Sequence, residues 1–398
     1  MQIASLNSTT RNCRRRACGH GASHPLPPAP RILHPRPGIT LIELLVTILI
    51  ISILAGLVLG VAAVAAETAR EAQSRHIVER LHTLLMEYYD TYKTRRVIVN
   101  STVEQKINQT LSGGSRGQAL AEARLYALRE MMLMEVPDRW SDVLLNEIGT
   151  TGKGADDTTA PPPATSAKLP VYLADSAGQP LRTALANVYL RRYGSLVGRI
   201  NTITGAVNTA GNIKANQSAE CLYMVITLAC GDGEAKTLFK QSDIGDTDGD
   251  GAPEFLDGWK HPISFLRWAP GFDSQIQLNL NSLNTLAKSN PTAANAEVAK
   301  DHDPFDLYRR DTLAFRLVPL IYSAGRDEEL GIFDAPDVVA WPKSQQFSVA
   351  NNPPNGPYLA PIINPYTTVT SGSTTAYLGT ALDGTATDNV HNHLMGQR

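Results

Sequence analysis

The sequence predicts an α+β protein in which one long N-terminal helix packs on a small antiparallel β-sheet. Three observations carry that prediction. From Ile39 to Ala66 the chain holds a single charged residue, Glu43. Beyond Ala66, Ile77, Leu81, Leu84, Leu85 and Tyr88 recur at helical spacing, and no Gly or Pro interrupts from Val61 to Tyr92. Later, helix-forming stretches give way to short apolar and alternating segments, as expected of helices laid on one sheet.

Composition narrows the class of protein. The 398 residues carry a net charge of −2, with 43% hydrophobic and 19% charged residues. That excludes a wholly disordered chain. No basic excess exists to neutralise phosphates, so no nucleic-acid partner is expected. The charge is unevenly placed, however. Arg11, Arg14, Arg15, Arg16, Arg31 and Arg36 lie in residues 1–38, which contain no Asp or Glu, leaving about −8 for residues 39–398. Gly and Pro crowd residues 19–38, a composition that builds no core.

The first helix has two parts of different character. Leu44–Ala66 is free of charge, and about 20 apolar residues suffice to cross a bilayer core. A single membrane pass over 39–66 is expected. The preceding arginines and the acidic remainder place the N-terminus in the cytoplasm and the head on the far side. Residues 67–95 continue the helix amphipathically, with one face to bury. Unbroken from Ile39 to about Tyr92, it would span roughly 80 Å at 1.5 Å per residue.

Glu43 is out of place at the start of a membrane helix, where an unpaired carboxylate costs several kcal/mol. One account is an interfacial Glu among the headgroups. The string Gly38-Ile39-Thr40-Leu41-Ile42-Glu43-Leu44-Leu45 offers another. It resembles the processing site of type IV prepilins and of type II secretion pseudopilins. The resemblance implies a basic leader over 1–38, cleavage by prepilin peptidase between Gly38 and Ile39, N-methylation of Ile39, and an assembly role for Glu43 at the fifth mature position. It further implies an inner-membrane location, a periplasmic head and a long helix packed on a small sheet. Copies of itself, other pseudopilin subunits and an inner-membrane assembly platform would be its partners. Two departures stand out: Ile39 occupies a position where Phe is commonest, and the leader is long. Pairing of Glu43 with a newly formed amine would offset the desolvation of both charges. Head-to-tail contacts of that kind build open helical filaments. Two alternatives stay open: a secretory signal cut at Ala63-Val64-Ala65 and an uncleaved signal anchor.

The remainder divides into an inserted helical and linker region over 96–217, a pseudopilin-like helix and sheet over 218–345, and a low-complexity tail over 346–398. Helices are expected at Gln118–Glu135, at Leu181–Tyr193 and at Ala219–Ala229, the last capped by Ser218. Met131, Met132 and Met134 read as packing residues. Thr151–Pro170 reads as a flexible link. Strands are expected at Ile263–Trp268, at the alternating Gln275–Leu280 and at Leu313–Ser323.

One constellation carries ligand chemistry. In Asp246-Thr-Asp-Gly-Asp-Gly-Ala-Pro-Glu-Phe-Leu-Asp257, Asp246, Asp248 and Asp250 occupy positions 1, 3 and 5 of a calcium loop. Gly251 takes the sharp turn at position 6. Ala252 offers a carbonyl at 7, and Glu254 and Asp257 fall at 9 and 12. Calcium takes 6–8 hard oxygens, and this spacing supplies them. Asp at position 12 and Pro253 at 8 depart from the usual pattern. The bland reading is a solvated acidic turn.

Two downstream strings extend the resemblance. Asp257-Gly258-Trp259-Lys260-His261-Pro262 is similar to the stretch before the pseudopilin sheet, with Lys260 in place of a Gly. Tyr322-Ser323-Ala324-Gly325-Arg326-Asp327 is similar to a C-terminal segment that binds calcium in the major pseudopilin, which implies Asp327, Glu328 and Asp334 as weaker ligands. The length is similar to that of the minor tip subunit, whereas Glu43 fits the major one. Cys221 and Cys230 read either as buried thiols or as a disulfide, and His391 and His393 fall in the polar tail. No assembled catalytic motif is present, so no enzyme is expected. The competing function is a membrane-anchored, exported, calcium-dependent binding protein.

Overall fold

The computed structural model describes residues 38–145, 169–209, 212–230, 235–309, 314–334 and most of 364–394. The leader before Gly38 and nearly all of the Thr151–Pro170 link lie outside the described residues. The chain divides into two compact units, Met1–Gly60 and Val61–Arg398.

The first unit is described as helix alone. Helix α1 runs Leu41–Asp90. Its N-terminus is closed by Thr40 and Glu43. The Glu43 amide donates to Thr40 Oγ1 at 3.2 Å, and the Thr40 amide donates back to Glu43 Oε2 at 3.1 Å. This Thr-x-x-Glu reciprocity is a capping box. Leu41, Ile42, Leu44, Leu45 and the apolar residues through Val64 are all exposed. Among the described residues α1 is the one helix long and apolar enough to cross a membrane.

In the second unit α1 becomes one-sided. Ser74, Ile77, Val78, Leu81, Leu85 and Tyr89 are buried, while Leu84 and Tyr88 are half-buried. The helices that follow are α2 (Ser101–Thr110), α3 (Gly113–Glu135), α4 (Trp140–Leu144), α5 (Ala184–Leu196) and α6 (Gln217–Leu228). Helix α3 carries the expected Gln118–Glu135 stretch, and Met132 and Met134 lie in the core beside Leu81 and Leu85. At its end the buried Glu135 accepts from the Tyr88 hydroxyl at 3.0 Å and the Tyr92 hydroxyl at 2.8 Å, and pairs with Arg95. The end of α1 is thereby fastened to α3. Helix α6 begins at Gln217, with Asn216 at its N-cap, two residues earlier than expected. The Ser218 hydroxyl instead receives the Phe265 amide at 2.8 Å.

The strands are short. A two-stranded ribbon joins β1 (Ile244–Gly245) to β2 (Glu254–Phe255). The central sheet is antiparallel. Its first two strands are β3 (Ser264–Leu266) and β4 (Leu320–Ser323), with Phe265 opposite Ile321. After helices α7 (Leu280–Ser289) and α8 (Pro291–Lys300), the chain also forms the small hairpin β5–β6 (Val369–Ser371, Thr374–Ala376). Strand β7 (Val390–His391) then pairs with the far side of β4. Helix α6 packs across β2 and β3.

Two expectations are corrected. Gln275–Leu280 forms no strand. Asn279 caps α7 by accepting from the Asn281 and Ser282 amides at 2.8 and 3.2 Å, so a strong N-cap overrides the alternation. The described part of the expected loose tail is folded. Tyr366, Val369, Leu378 and Val390 are buried, and β7 completes the sheet, because the β4 edge is otherwise an open ladder. His391 and His393 are not in solvent either. Both set their rings edge-on against Phe272, with centroids 5.0 and 5.3 Å away. Cys221 and Cys230 are both buried free thiols.

Candidate functional site

Two places in the molecule carry the chemistry read from the sequence. The first is the segment Gly38–Glu43. Gly38 and Ile39 precede the helix, and Ile39 is 76% exposed. Glu43 reaches back over one turn to Thr40, whose hydroxyl also donates to Glu43 Oε2 at 3.2 Å. Its carboxylate is therefore held at the helix N-terminus, one turn from the Ile39 nitrogen. A negative charge there also complements the helix dipole. Gly38 is exposed and lies just outside the ordered helix start.

The second is the turn that follows β1. Asp246 Oδ1 and Oδ2 accept from the Gly249 and Gly251 amides at 2.7 and 3.0 Å. Asp248 Oδ1 accepts from the Asp250 amide at 3.2 Å, and Asp250 Oδ1 from the Ala252 amide at 2.7 Å. Gly249 and Gly251 have φ of 78° and 96°, a region that side chains disfavour. A Cβ on Gly249 would also meet Ile203 Cγ1 at 2.7 Å. The loop is pinned from outside by a segment between α5 and α6. The Asn201 and Asn208 side chains donate to the Asp248 and Asp250 carbonyls at 2.8 and 2.7 Å. Asn216 donates to Glu254 Oε1 at 3.1 Å.

The carboxylates form two overlapping triplets, Asp246–Asp248–Glu254 and Glu220–Asp248–Asp250, with donor oxygens within 4.8 Å of one another in each. Glu220, on α6, was not legible from the loop pattern. No motif spacing connects it to residues almost thirty positions away, and only the packing of α6 on β2 brings it in. Burial raises the carboxyl pKa of Asp250 to about 6 and of Glu254 to about 7, with neighbouring Asp248 and Asp246 adding to both. Burial likewise raises Glu220 well above the usual range.

The loop's last expected donor separates from the others. Asp257 is buried but faces away from both triplets. Its Oδ1 accepts from the Trp259 and His261 amides at 2.8 and 2.9 Å, and its Oδ2 from the Ser323 hydroxyl at 2.6 Å. It serves the turn that seats α1. There the Gly258 amide donates to Ser74 Oγ at 2.8 Å and Trp259 Nε1 to Glu67 Oε2 at 2.9 Å. A Cβ on Gly258 would lie 2.2 Å from the Arg70 carbonyl oxygen, so the two backbones touch only because that residue is glycine. Ala252 is buried, and its amide is taken by Asp250. Among the described residues, Asp327, Glu328 and Asp334 enter neither carboxylate triplet. Glu328 Oε1 lies 3.4 Å from His261 Nε2.

Comparison with known proteins bears on the first place. Residues 34–59 match the family described as the prokaryotic N-terminal methylation motif. No curated protein and no solved structure matches the chain. The chain thus carries a type IV pilin-like N-terminal signal, followed by a long apolar helix. That signal marks a substrate of prepilin peptidase that assembles with other pilin-like subunits, and points to a structural subunit rather than an enzyme.

Proposed function

We propose that this chain is a subunit of a type II secretion pseudopilus or a related type IV pilus-like filament. It waits as a single-pass inner-membrane protein, with its N-terminus in the cytoplasm and its head in the periplasm. Prepilin peptidase cuts after Gly38, and Ile39 is then N-methylated. In the filament, Glu43 leaves its contact with Thr40 and pairs with the N-terminal amine of a neighbouring copy or pseudopilin. The inner-membrane assembly platform extracts the apolar helix into the filament core. The observation that carries this reading is the methylation motif over residues 34–59 running without a break into α1.

Glu43 supports the same reading. Among the described residues its carboxylate contacts only Thr40, a light local hold that a full opposite charge would displace. The apolar residues of 41–64 are exposed and need a covering of lipid or of neighbouring helices.

N-terminal mass spectrometry on membrane-purified protein is the test. Methylated Ile39 is the expected first residue. A chain beginning at Met1, or after Ala65, would overturn the filament reading and favour a membrane-anchored or released exported protein.

A further inference from the structure

The acidic loop after β1 holds more negative charge than its surroundings balance. Four of its carboxylates, with Glu220, converge in two triplets sharing Asp248. Among the described residues no Lys, Arg or His forms an ion pair with any of the five. Glu220 is 2% exposed and Asp250 1%. Each nevertheless leaves one carboxylate oxygen, Glu220 Oε1 and Asp250 Oδ2, without any hydrogen-bond partner, and Asp248 Oδ2 is in the same state. The three residues that carry these oxygens form one triplet. A buried carboxylate oxygen with nothing to accept from costs free energy, and gathering three such carboxylates compounds the cost by like-charge repulsion.

The other carboxylate oxygens of the loop are engaged, while Asn208 Oδ1, beside it, is also buried without a partner. The outer oxygens of Asp246, Asp248 and Asp250 bind loop amides, and Glu254 Oε2 takes the Thr247 amide at 3.0 Å. Glu220 Oε2 accepts from Trp140 Nε1 at 2.6 Å, which aims the other oxygen at the loop. The pattern is one of oxygens oriented by a surrounding layer of donors and left open on the inside, as at a metal centre whose ligands are set by their second partners. All the donors are hard oxygens, with no thiolate or imidazole among them, which selects calcium over zinc or copper.

We propose that Glu220, Asp246, Asp248, Asp250 and Glu254 bind calcium, with Glu220 of α6 supplying the closing carboxylate in place of Asp257. The cation then joins three separate parts of the head: α6, the β1–β2 loop, and the Asn201–Asn208 segment that clasps the loop's carbonyls. The site stands independently of the filament reading, because nothing in it involves α1.

Calcium titration of the full-length protein in detergent, by calorimetry and by thermal melting against chelator, tests the proposal. Calcium is expected to raise the melting midpoint of the native chain by several degrees, in proportion to its affinity. Glu220→Gln and Asp248→Asn are each expected to weaken calcium binding about tenfold or more, since affinity in such loops follows the count of charged ligands. Asp257→Asn is expected to melt lower with and without calcium, yet to keep the same calcium increment. Should Glu220→Gln not fold, Glu220→Asp keeps the charge with a shorter reach, and the same weakening is expected. Unchanged affinity in Glu220→Gln, the result for a merely protonated buried acid, would overturn the role of α6. A calcium increment lost in Asp257→Asn but kept in the Glu220 variants would do the same. No response to calcium in the native chain, or an equal response to magnesium, would overturn the site.

Discussion

Helix α1 is one continuous element lived in two environments. Over residues 41–66 its side chains are apolar on every side and exposed; Leu54, for example, is 56% exposed. Over residues 67–90 charged residues fill the outer face, and Leu81 on the inner face is fully buried. The backbone geometry is the same in both. What differs is the width of the apolar surface: all round in the first part, one stripe in the second. A helix apolar all round is stable only where its whole surface is covered, whereas a stripe needs one packed partner. The first part therefore depends on lipid or neighbouring subunits, and the second on its own head.

That contrast can be broken or sharpened by experiment. The largest effect is expected at the processing site. Gly38→Val should abolish cleavage while the head melts as before, read by N-terminal mass spectrometry and calorimetry on the same sample. A head that unfolds would erase the division between the two parts.

Acid is expected to act on the head alone. Burial lowers the His391 pKa to about 4 and the His393 pKa to about 3, from 6.5. Groups held neutral in the fold bind protons once unfolded. The stability they contribute is complete above about pH 6.5 and falls as pH drops toward 4 and then 3. The loss is about 2 kcal/mol per histidine at pH 5. The other groups at this contact are His82, also lowered by burial, and Asn392, which lies 2.8 Å from His82 Nδ1. A double His391→Gln, His393→Gln variant should flatten the melting midpoint between pH 7 and 5. An equally steep fall would show that other groups govern it.

Leu81→Ala should destabilise the head by about 3 kcal/mol through the cavity left in a packed core. Leu54→Ala should leave the head's midpoint unmoved, and equal losses would show the two parts to be one cooperative body. Gly258→Ala should cost about 2 kcal/mol, because backbone meets backbone and one must shift. Ser74→Ala removes the acceptor for the Gly258 amide and the hydroxyl's own bond to the Arg70 carbonyl, and about 1 kcal/mol is expected. Denaturant unfolding reads both, and Ser74→Ala exceeding Gly258→Ala would misplace the strain.

Much of this contrast was legible from residue order alone. A run without charge, then a stripe at helical spacing, specifies where α1 changes its environment, since both patterns are local. The cleavage string and the capping pair Thr40–Glu43 are local too, as are α3, α6, and the two strands β3 and β4 in shortened form. The candidate calcium loop was visible as a spacing of Asp and Gly, and four of its carboxylates do converge.

The rest depended on contacts that no local pattern encodes. Asp257 looked like the loop's last ligand by count, yet Ser323, Trp259 and His261 turn it toward the α1 seat. Glu220 looked like an ordinary helix residue until α6 packing delivered it to the loop. Gln275–Leu280 alternates like a strand, but Asn279 commits its end to α7. The tail composition pointed to looseness, although β4 offered an unpaired edge that Val390 and His391 fill. By itself the sequence determined the long apolar segment, the methylation-motif string and the amphipathic stripe, because each is a periodicity or a short string along one helix. Only tertiary structure decided which carboxylates meet and which edge the chain's end completes, because those follow from packing between segments distant in sequence.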